Sequence, residues 1–275
     1  MKYDVIHLKD IYPVLDKNGA DPTLEILVPN FVGKLKKRPS MLVCPGGGYE
    51  FTWEGEAENV AFEYLTLGFN AFVLRYSVKP HTFPQQILEV ACAFDYIINN
   101  AEEFNGDPDK NAILGFSAGG HLTASYCTMR NFPEITSVIP EPKAIQAAVL
   151  CYPVISADMP THKGSFKALT GKDELTKEEL DKFSVDKHIN NEITPPTFIW
   201  TTSGDTAVDP VNTLKYATAL NEAKIPFELH IFPGGKHGMT TGKYGVVADS
   251  KDPTYEYISV WPEYSRKWLK TLFDI

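Results

Sequence analysis

The chain has 275 residues, 43% hydrophobic and 22% charged, a globular composition with enough length for one large α/β domain or two small ones, of which the alternation of apolar runs favours one. Its 26 basic and 35 acidic residues leave a formal net charge of −9, which repels phosphate backbones and speaks against nucleic acid as a partner. Met1 to Val5 opens no signal-peptide core and no apolar run reaches bilayer thickness, so no membrane association is expected and the cytoplasm is the simplest location.

Taken in chain order, Tyr3 to Leu8 alternates as a strand, and Leu24 to Val28 follows the Lys17-Asn18-Gly19 turn as a second; together they predict an antiparallel start to a sheet. The basic cluster Lys34 to Arg38 reads as a solvated loop. Ser40 to Cys44 is a short apolar run, the mark of a buried central strand, and it ends at Pro45-Gly46-Gly47-Gly48-Tyr49. Glu56 to Leu67 carries Val60, Ala61, Tyr64 and Leu65 at helical spacing, closed by Gly68. Trp53, Glu54 and Glu56 stand at its start, where acids suit the helix dipole. Phe69 to Tyr76 is a further strand. Pro84 opens a long helix through Ile98, broken by Asn105-Gly106-Asp107-Pro108.

Asn111 to Leu114 is the next strand, followed by Gly115-Phe116-Ser117-Ala118-Gly119 and a helix-like run from Gly120 to Met129. Ala144 to Tyr152 is another buried strand. Residues 154–194 lack a strand signal, contain a helix from Thr176 to Phe183, and read as a cap-like insertion over one end of the sheet. Thr197 to Thr202 is a strand ending at Ser203-Gly204-Asp205; Pro210 to Ala223 is a helix; Phe227 to Phe232 is a strand ending at Pro233 to Gly238. The tail from Val260 to Phe273 has helical spacing. Cys44, Cys92, Cys127 and Cys151 lie inside apolar stretches and read as reduced core residues. No grouping of His, Cys, Asp and Glu has metal-ligand spacing.

Strands separated by helices of this length predict an α/β fold with a mainly parallel central sheet and helices on both faces, spanning 1–275 as one domain. Sites in such sheets gather at the carboxyl ends of the strands. Four strands here end in conspicuous loops, at Gly46-Gly47-Gly48, Ser117, Asp205 and His237.

G-x-S-x-G between a strand and a helix is the setting of a nucleophile elbow; alone, it also describes a strand-to-helix turn whose serine caps the helix. A serine hydroxyl needs a base, and the base needs an orienting acid, in the chain order Ser, Asp or Glu, His. Of seven histidines only His230 and His237 follow the candidate acids. His230 sits inside a strand, whereas His237 lies in a Gly-rich loop that can reach the elbow, so His237 is favoured. Asp205 directly follows a strand end, whereas Asp209 precedes Pro210 and reads as a helix cap, so Asp205 is favoured. The N–H of Ala118, after the nucleophile, is one donor to an oxyanion, and the glycine run at Gly47 and Gly48 supplies others. Tyr49 is a candidate substrate contact. His121, one turn after Ser117, reads as helix packing more than site lining.

These residues resemble the α/β-hydrolase superfamily, and within it esterases and acetylxylan-esterase-like members, grouped with dienelactone-hydrolase-like proteins. The resemblance is carried by Pro45 to Tyr49, Leu74 to Val78, Gly115 to Leu122, Tyr152-Pro153-Val154, Pro195 to Phe198, Gly204-Asp205 with Val208, and Phe232 to Gly235 leading to His237-Gly238. It implies Ser117, Asp205 and His237 as a triad, and Gly47 or Gly48 with Ala118 as the oxyanion hole. Two features depart from it. Hormone-sensitive-lipase-like relatives have His before the glycines where Pro45 stands, and several acetylxylan-esterase-like relatives have Arg-Glu where Gly55-Glu56 stands.

The expected activity is a cofactor-independent serine carboxylesterase acting on a small-molecule ester. Its preference for short acyl groups, acetyl above all, and for acylated sugars rests on the resemblance. Homo-oligomers are compatible with this sequence. The rival readings are a serine peptidase of the prolyl-oligopeptidase kind, for which the chain lacks a large extra domain, and an inactive hydrolase-fold binding protein. Residues 154–194 and 238–258 are expected to shape the pocket, the latter with Tyr244, Tyr255 and Tyr257.

Overall fold

The computed structural model describes residues 1–30, 37–158, 161–243 and 253–275. Among them the chain forms strands β1 (Lys2–His7), β2 (Thr23–Val28), β3 (Arg38–Cys44), β4 (Asn70–Arg75), β5 (Gly106–Phe116), β6 (Ala147–Cys151), β7 (Thr197–Thr202) and β8 (Phe227–Phe232). The helices are α1 (Leu8–Ile11), α2 (Glu58–Leu65), α3 (Gln85–Asn99), α4 (Ser117–Met129), α5 (Pro133–Thr136), α6 (Lys163–Thr170), α7 (Lys177–Phe183), α8 (Val211–Glu222), α9 (Thr254–Ile258) and α10 (Trp261–Phe273).

The strands make one sheet in the order β1-β2-β4-β3-β5-β6-β7-β8. Pair β1–β2 is antiparallel, as the opening of the sequence predicts; β2–β4 is antiparallel too, and every later pair is parallel. Burial alternates with the two-residue period of a strand. In the central strand β5, Ala112, Leu114 and Phe116 join a core with Val60, Tyr64, Trp261 and Leu269 from α2 and α10. Ile113 faces the opposite core, with Leu88, Leu122 and Leu220 from α3, α4 and α8. Both sheet faces are therefore covered, which is why the parallel strands read as unbroken apolar runs.

The parallel register levels the carboxyl ends. Cys44 pairs with Gly115, Phe116 with Cys151, Cys151 with Trp200, and Thr202 with Phe232. The loops that follow β3, β5, β7 and β8 therefore leave the sheet on the same side.

Two segments differ from the sequence reading. Strand β5 starts at Gly106 rather than Asn111, and its ladder with β3 is irregular there: Arg38 pairs with Gly106 and Ser40 with Asn111, so Pro39 alone stands opposite four residues. Pro108 is tolerated at that bulge because no ladder hydrogen bond is asked of it. In the basic cluster, residues 34–36 lie outside the described residues, and Arg38 already belongs to β3.

The insertion contains α7, started by a capping box in which Thr176 Oγ1 accepts the Glu179 N–H and Glu179 Oε2 accepts the Thr176 N–H. It also contains α6, which the sequence reading leaves out. Gly164 and a histidine N-cap, His162, hide that helix from a pattern search. The insertion's first residues are tied to the start of α4 and to α8. Val154 N–H donates to Ser117 O at 3.0 Å, and Ile155 and Ser156 N–H both donate to the buried Asn212 Oδ1.

The tail helix α10 seals the second core. Trp261 stacks on Trp200 with ring centroids 5.2 Å apart, meets Phe116 edge-on at 5.9 Å, and donates Nε1–H to Thr240 O at 2.7 Å. Trp261→Ala is expected to destabilise the protein by about 3–5 kcal/mol, measured as a lower urea midpoint. Trp261→Phe keeps a ring there and is expected to lose distinctly less; equal losses in the two variants would contradict this packing account.

Candidate active site

The elbow is built by close approach. Ser117 begins α4 directly after β5 with φ +51°, in the left-handed region, where a non-glycine residue is strained. A Cβ on Gly115 would lie 2.2 Å from Gly119 O and from Thr123 Oγ1, and one on Gly119 would lie 2.2 Å from Cys44 O. Only glycine at both positions lets the helix start so close to the strands on either side. The hydroxyl of Ser117 is thereby lifted to the top of the sheet, with the residue 8% exposed.

His237 comes from the loop after β8, and its Nε2 lies 2.7 Å from Ser117 Oγ. Its Nδ1 lies 2.6 Å from Asp205 Oδ2, from the loop after β7. Asp205 is fixed in turn, because its other oxygen, Oδ1, accepts N–H bonds from Ala207 and Val208, each at 2.9 Å. The Asp205 side chain is fully buried and that of His237 is 24% exposed. A carboxylate accepting at Nδ1 requires the proton to be there, which leaves Nε2 of the neutral ring as an acceptor for the serine hydroxyl.

Beside Ser117 runs the glycine loop. A Cβ on Gly46 would lie 3.0 Å from Ser117 Cβ. Gly47 has φ +128°, and a Cβ there would lie 2.0 Å from Phe51 O, so the tight turn that returns the chain to Phe51 requires glycine. The amides of Gly47 and Gly48 donate to no described residue. The Ala118 N–H belongs to the first turn of α4, where a helix offers no acceptor of its own.

The remaining candidates separate clearly. Tyr49 is corrected: it is 1% exposed, and its hydroxyl donates to His121 Nδ1 at 2.9 Å, so it braces the glycine loop from beneath and is not open to substrate. His121 Nε2–H donates to Phe183 O at 2.9 Å, which fixes that tautomer and ties α4 to the insertion. Burial pushes the His121 imidazole down to about 4, so it stays neutral. His230 pairs with Glu228 and stacks on Tyr264, away from Ser117 on strand β8. Asp209 Oδ1 accepts the Val211 N–H at the start of α8, the structural role its place before Pro210 suggests. Of the loop tyrosines, Tyr244 lies outside the described residues, Tyr255 is buried, and Tyr257 is exposed.

Glu56 is a residue whose role the sequence reading misplaces. It does not serve a helix dipole; it closes a 3-10 turn before α2 and is 1% exposed. Its Oε2 accepts the Gly46 N–H at 2.7 Å, and its Oε1 accepts the Tyr152 hydroxyl at 2.5 Å. Tyr152 also accepts the Thr240 N–H at 3.1 Å and packs its ring edge-on to His237, centroids 5.0 Å apart. Burial pushes the Glu56 carboxyl up to about 7, against the opposing pull of those two hydrogen bonds and of positive charge on His237. Among the described residues no group of three or more His, Cys, Asp or Glu is placed to hold a metal ion, and no helix is long and apolar enough to cross a membrane.

The sequence matches the family model BD-FAE over residues 24–220. The chain belongs to the BD-FAE family. Over 215 residues, 74% of the chain, it is 40% identical to an endo-1,4-beta-xylanase B of Butyrivibrio fibrisolvens, covering 33% of that protein. Over 207 residues, 73% of the chain, it is 31% identical to an acetylxylan esterase of Xylanibacter ruminicola, covering 41% of it. The chain thus spans between a third and two-fifths of the length of these curated relatives. Among solved structures, it is similar to an acetyl ester-xyloside bifunctional hydrolase of Caldicellulosiruptor lactoaceticus, with TM-score 0.83 and 32% identity over 99% of this chain and 97% of that one. The carboxylesterase Cest-2923 of Lactobacillus plantarum, at TM-score 0.82 and 23% identity over 98% of both chains, shares the fold. This BD-FAE member has the α/β-hydrolase fold, with the mainly parallel sheet its sequence predicts.

The buried Glu56 gives a pH-dependent stability with a definite sign. Its folded value, about 7, exceeds the ordinary 4.5, so the folded state holds the proton more tightly than the unfolded one. Its contribution is therefore most favourable below pH 4.5 and declines as pH rises towards 7. Glu56→Gln removes that decline. Relative to wild type, the variant is expected to gain on the order of 3 kcal/mol between pH 4 and pH 8, read from urea unfolding at both pH values. A difference independent of pH would show that Glu56 titrates normally.

Proposed function

We propose that this chain is a serine carboxylesterase that removes short acyl groups, acetyl foremost, from small hydroxylated compounds such as acylated sugars. The observation that carries the reading is the unbroken hydrogen-bonded series Asp205–His237–Ser117, with unpaired amides at Gly47 and Gly48 directly after Gly46, where a Cβ would meet Ser117. The names of the relatives, an acetylxylan esterase and an acetyl ester-xyloside hydrolase, support the acetylated-sugar class.

In this reading, Ser117 Oγ attacks the ester carbonyl carbon while its proton passes to His237 Nε2. Asp205, accepting from Nδ1–H, stabilises the imidazolium that forms. The carbonyl oxygen becomes an oxyanion held by the N–H groups of Ala118 and of Gly47 or Gly48. When the tetrahedral adduct collapses, His237 returns the proton to the departing alcohol oxygen. Water, deprotonated by the same Nε2, then attacks the acyl-serine and releases the acid. The 275 residues act as one hydrolase unit, with 154–194 as a cap over the serine. The substrate partner is a small ester, and the net charge of −9 disfavours nucleic acid.

The test is hydrolysis of p-nitrophenyl esters from acetate to octanoate. A steep fall with acyl length is expected, with kcat lowered by about 10⁶ in Ser117→Ala and by about 10⁴ in Asp205→Asn. Turnover that survives in Ser117→Ala would rule the serine mechanism out.

A further inference from the structure

His162 lies in the insertion, at the N-cap of α6. Its Nδ1 accepts the Ser165 backbone N–H at 3.3 Å and lies 2.9 Å from Ser165 Oγ. A backbone N–H can only donate, so Nδ1 of the neutral ring carries no proton and Nε2 does. That Nε2–H meets no described partner, and it is not one of the unpartnered polar atoms that are shut away from solvent, so this half-buried ring presents an open donor.

The donor lies beside the candidate oxyanion loop. A Cβ on Gly48 would stand 3.6 Å from His162 Cε1, the atom bonded to Nε2. The neighbouring aromatics lie along the same loops. The Phe51 ring would be 3.1 Å from a Cβ on Gly47, and the Trp53 ring 3.3 Å from one on Gly238, the residue after His237. Phe51 is 55% exposed and Trp53 half-buried. Burial, and after it the nearby charge of His237, hold the His162 imidazole below its ordinary range, which keeps the ring neutral and its tautomer fixed. Residues 154–194 thus bring one oriented N–H close to the glycine loop, and Phe51 and Trp53 stand along the loops of the same site.

We infer that His162 is a specificity-determining residue, whose Nε2–H donates to a free hydroxyl on the alcohol portion of the ester. A short acyl chain has no acceptor to offer this donor beyond its carbonyl, which the amides of the glycine loop and Ala118 already serve. A polyhydroxylated alcohol has several, and its C–H faces suit the aromatic neighbours. This rests on the esterase reading given above and names the side of the substrate that the insertion recognises.

Two substitutions separate donor from helix cap. Asn at 162 keeps an N-cap acceptor for α6 but is too short to carry the donor; Gln carries an N–H to about the same reach but caps poorly. The readout is kcat/KM for a mono-acetylated methyl xyloside divided by kcat/KM for p-nitrophenyl acetate, whose leaving group has no free hydroxyl. One neutral hydrogen bond corresponds to a drop in that ratio of about 3–10-fold in His162→Asn, with His162→Gln retaining most of it. An unchanged ratio in His162→Asn, or a larger loss in His162→Gln, overturns the inference. Wild type that cleaves nitrophenyl acetate but not the acetylated xyloside overturns it while leaving the esterase reading intact. Wild type that cleaves neither overturns both.

Discussion

A single buried carboxylate, Glu56, links the loops on which the site depends. One oxygen takes the Gly46 amide and so sets the direction of the glycine loop; the other takes the Tyr152 hydroxyl, which receives Thr240 from the loop carrying His237. Gly46 donating to Glu56 is also what leaves the proposed oxyanion role to the amides of Gly47 and Gly48, which donate to no described residue. A carboxyl buried this deeply is costly to ionise, and its raised pKa expresses that cost. The network is arranged so that both oxygens have partners, without which a buried acid would be strongly destabilising.

The proposed nucleophile, Ser117, is held by sterics more than by hydrogen bonds. The strained φ of Ser117 persists because the elements around it leave no alternative path: α4 starts within contact of the Cys44 carbonyl, and Val154 of the next connection bonds the Ser117 carbonyl. Strain of this kind, of order 1–3 kcal/mol, survives only where neighbouring structure over-determines it. The two long apolar clusters on either side of the sheet supply that rigidity, and the level carboxyl ends let the loops after β5, β7 and β8 join by hydrogen bonds while the loop after β3 packs beside Ser117.

What was legible in the sequence was local. Strand ends at Cys44, Leu114, Thr202 and Phe232 are marked by glycines and prolines, and a parallel sheet aligns them, so the grouping of the glycine loop, Ser117, Asp205 and His237 follows from chain order and turn chemistry. The Asp209–Pro210 cap and the Thr176 capping box are equally local. The failures share a different cause. Tyr49 and His121 are 72 residues apart, and Glu56 and Tyr152 96 apart; no periodicity or spacing reports which buried polar groups will meet. Helix α6 does not announce itself in the sequence because its cap is an imidazole and its first turn contains glycine, both weak as helix signals.

Those contacts, with the core side chains it contributes, also explain how segment 154–194 is held against α4. Helix α6 buries Phe166 and Leu169, and His121 donates to the carbonyl of Phe183 at the end of α7. The tautomer of His121 is therefore set by the insertion, and through Tyr49 the same contact reaches the glycine loop. Because burial keeps His121 neutral down to about pH 4, this tie is insensitive to pH near neutrality, unlike the Glu56 network. The glycine loop is thus braced twice, by Glu56 at Gly46 and by His121 at Tyr49, and the two unpaired amides lie between those anchors. Amides fixed at both ends need no reorganisation to meet a developing charge, which is the condition under which backbone donors contribute most to an acyl transfer.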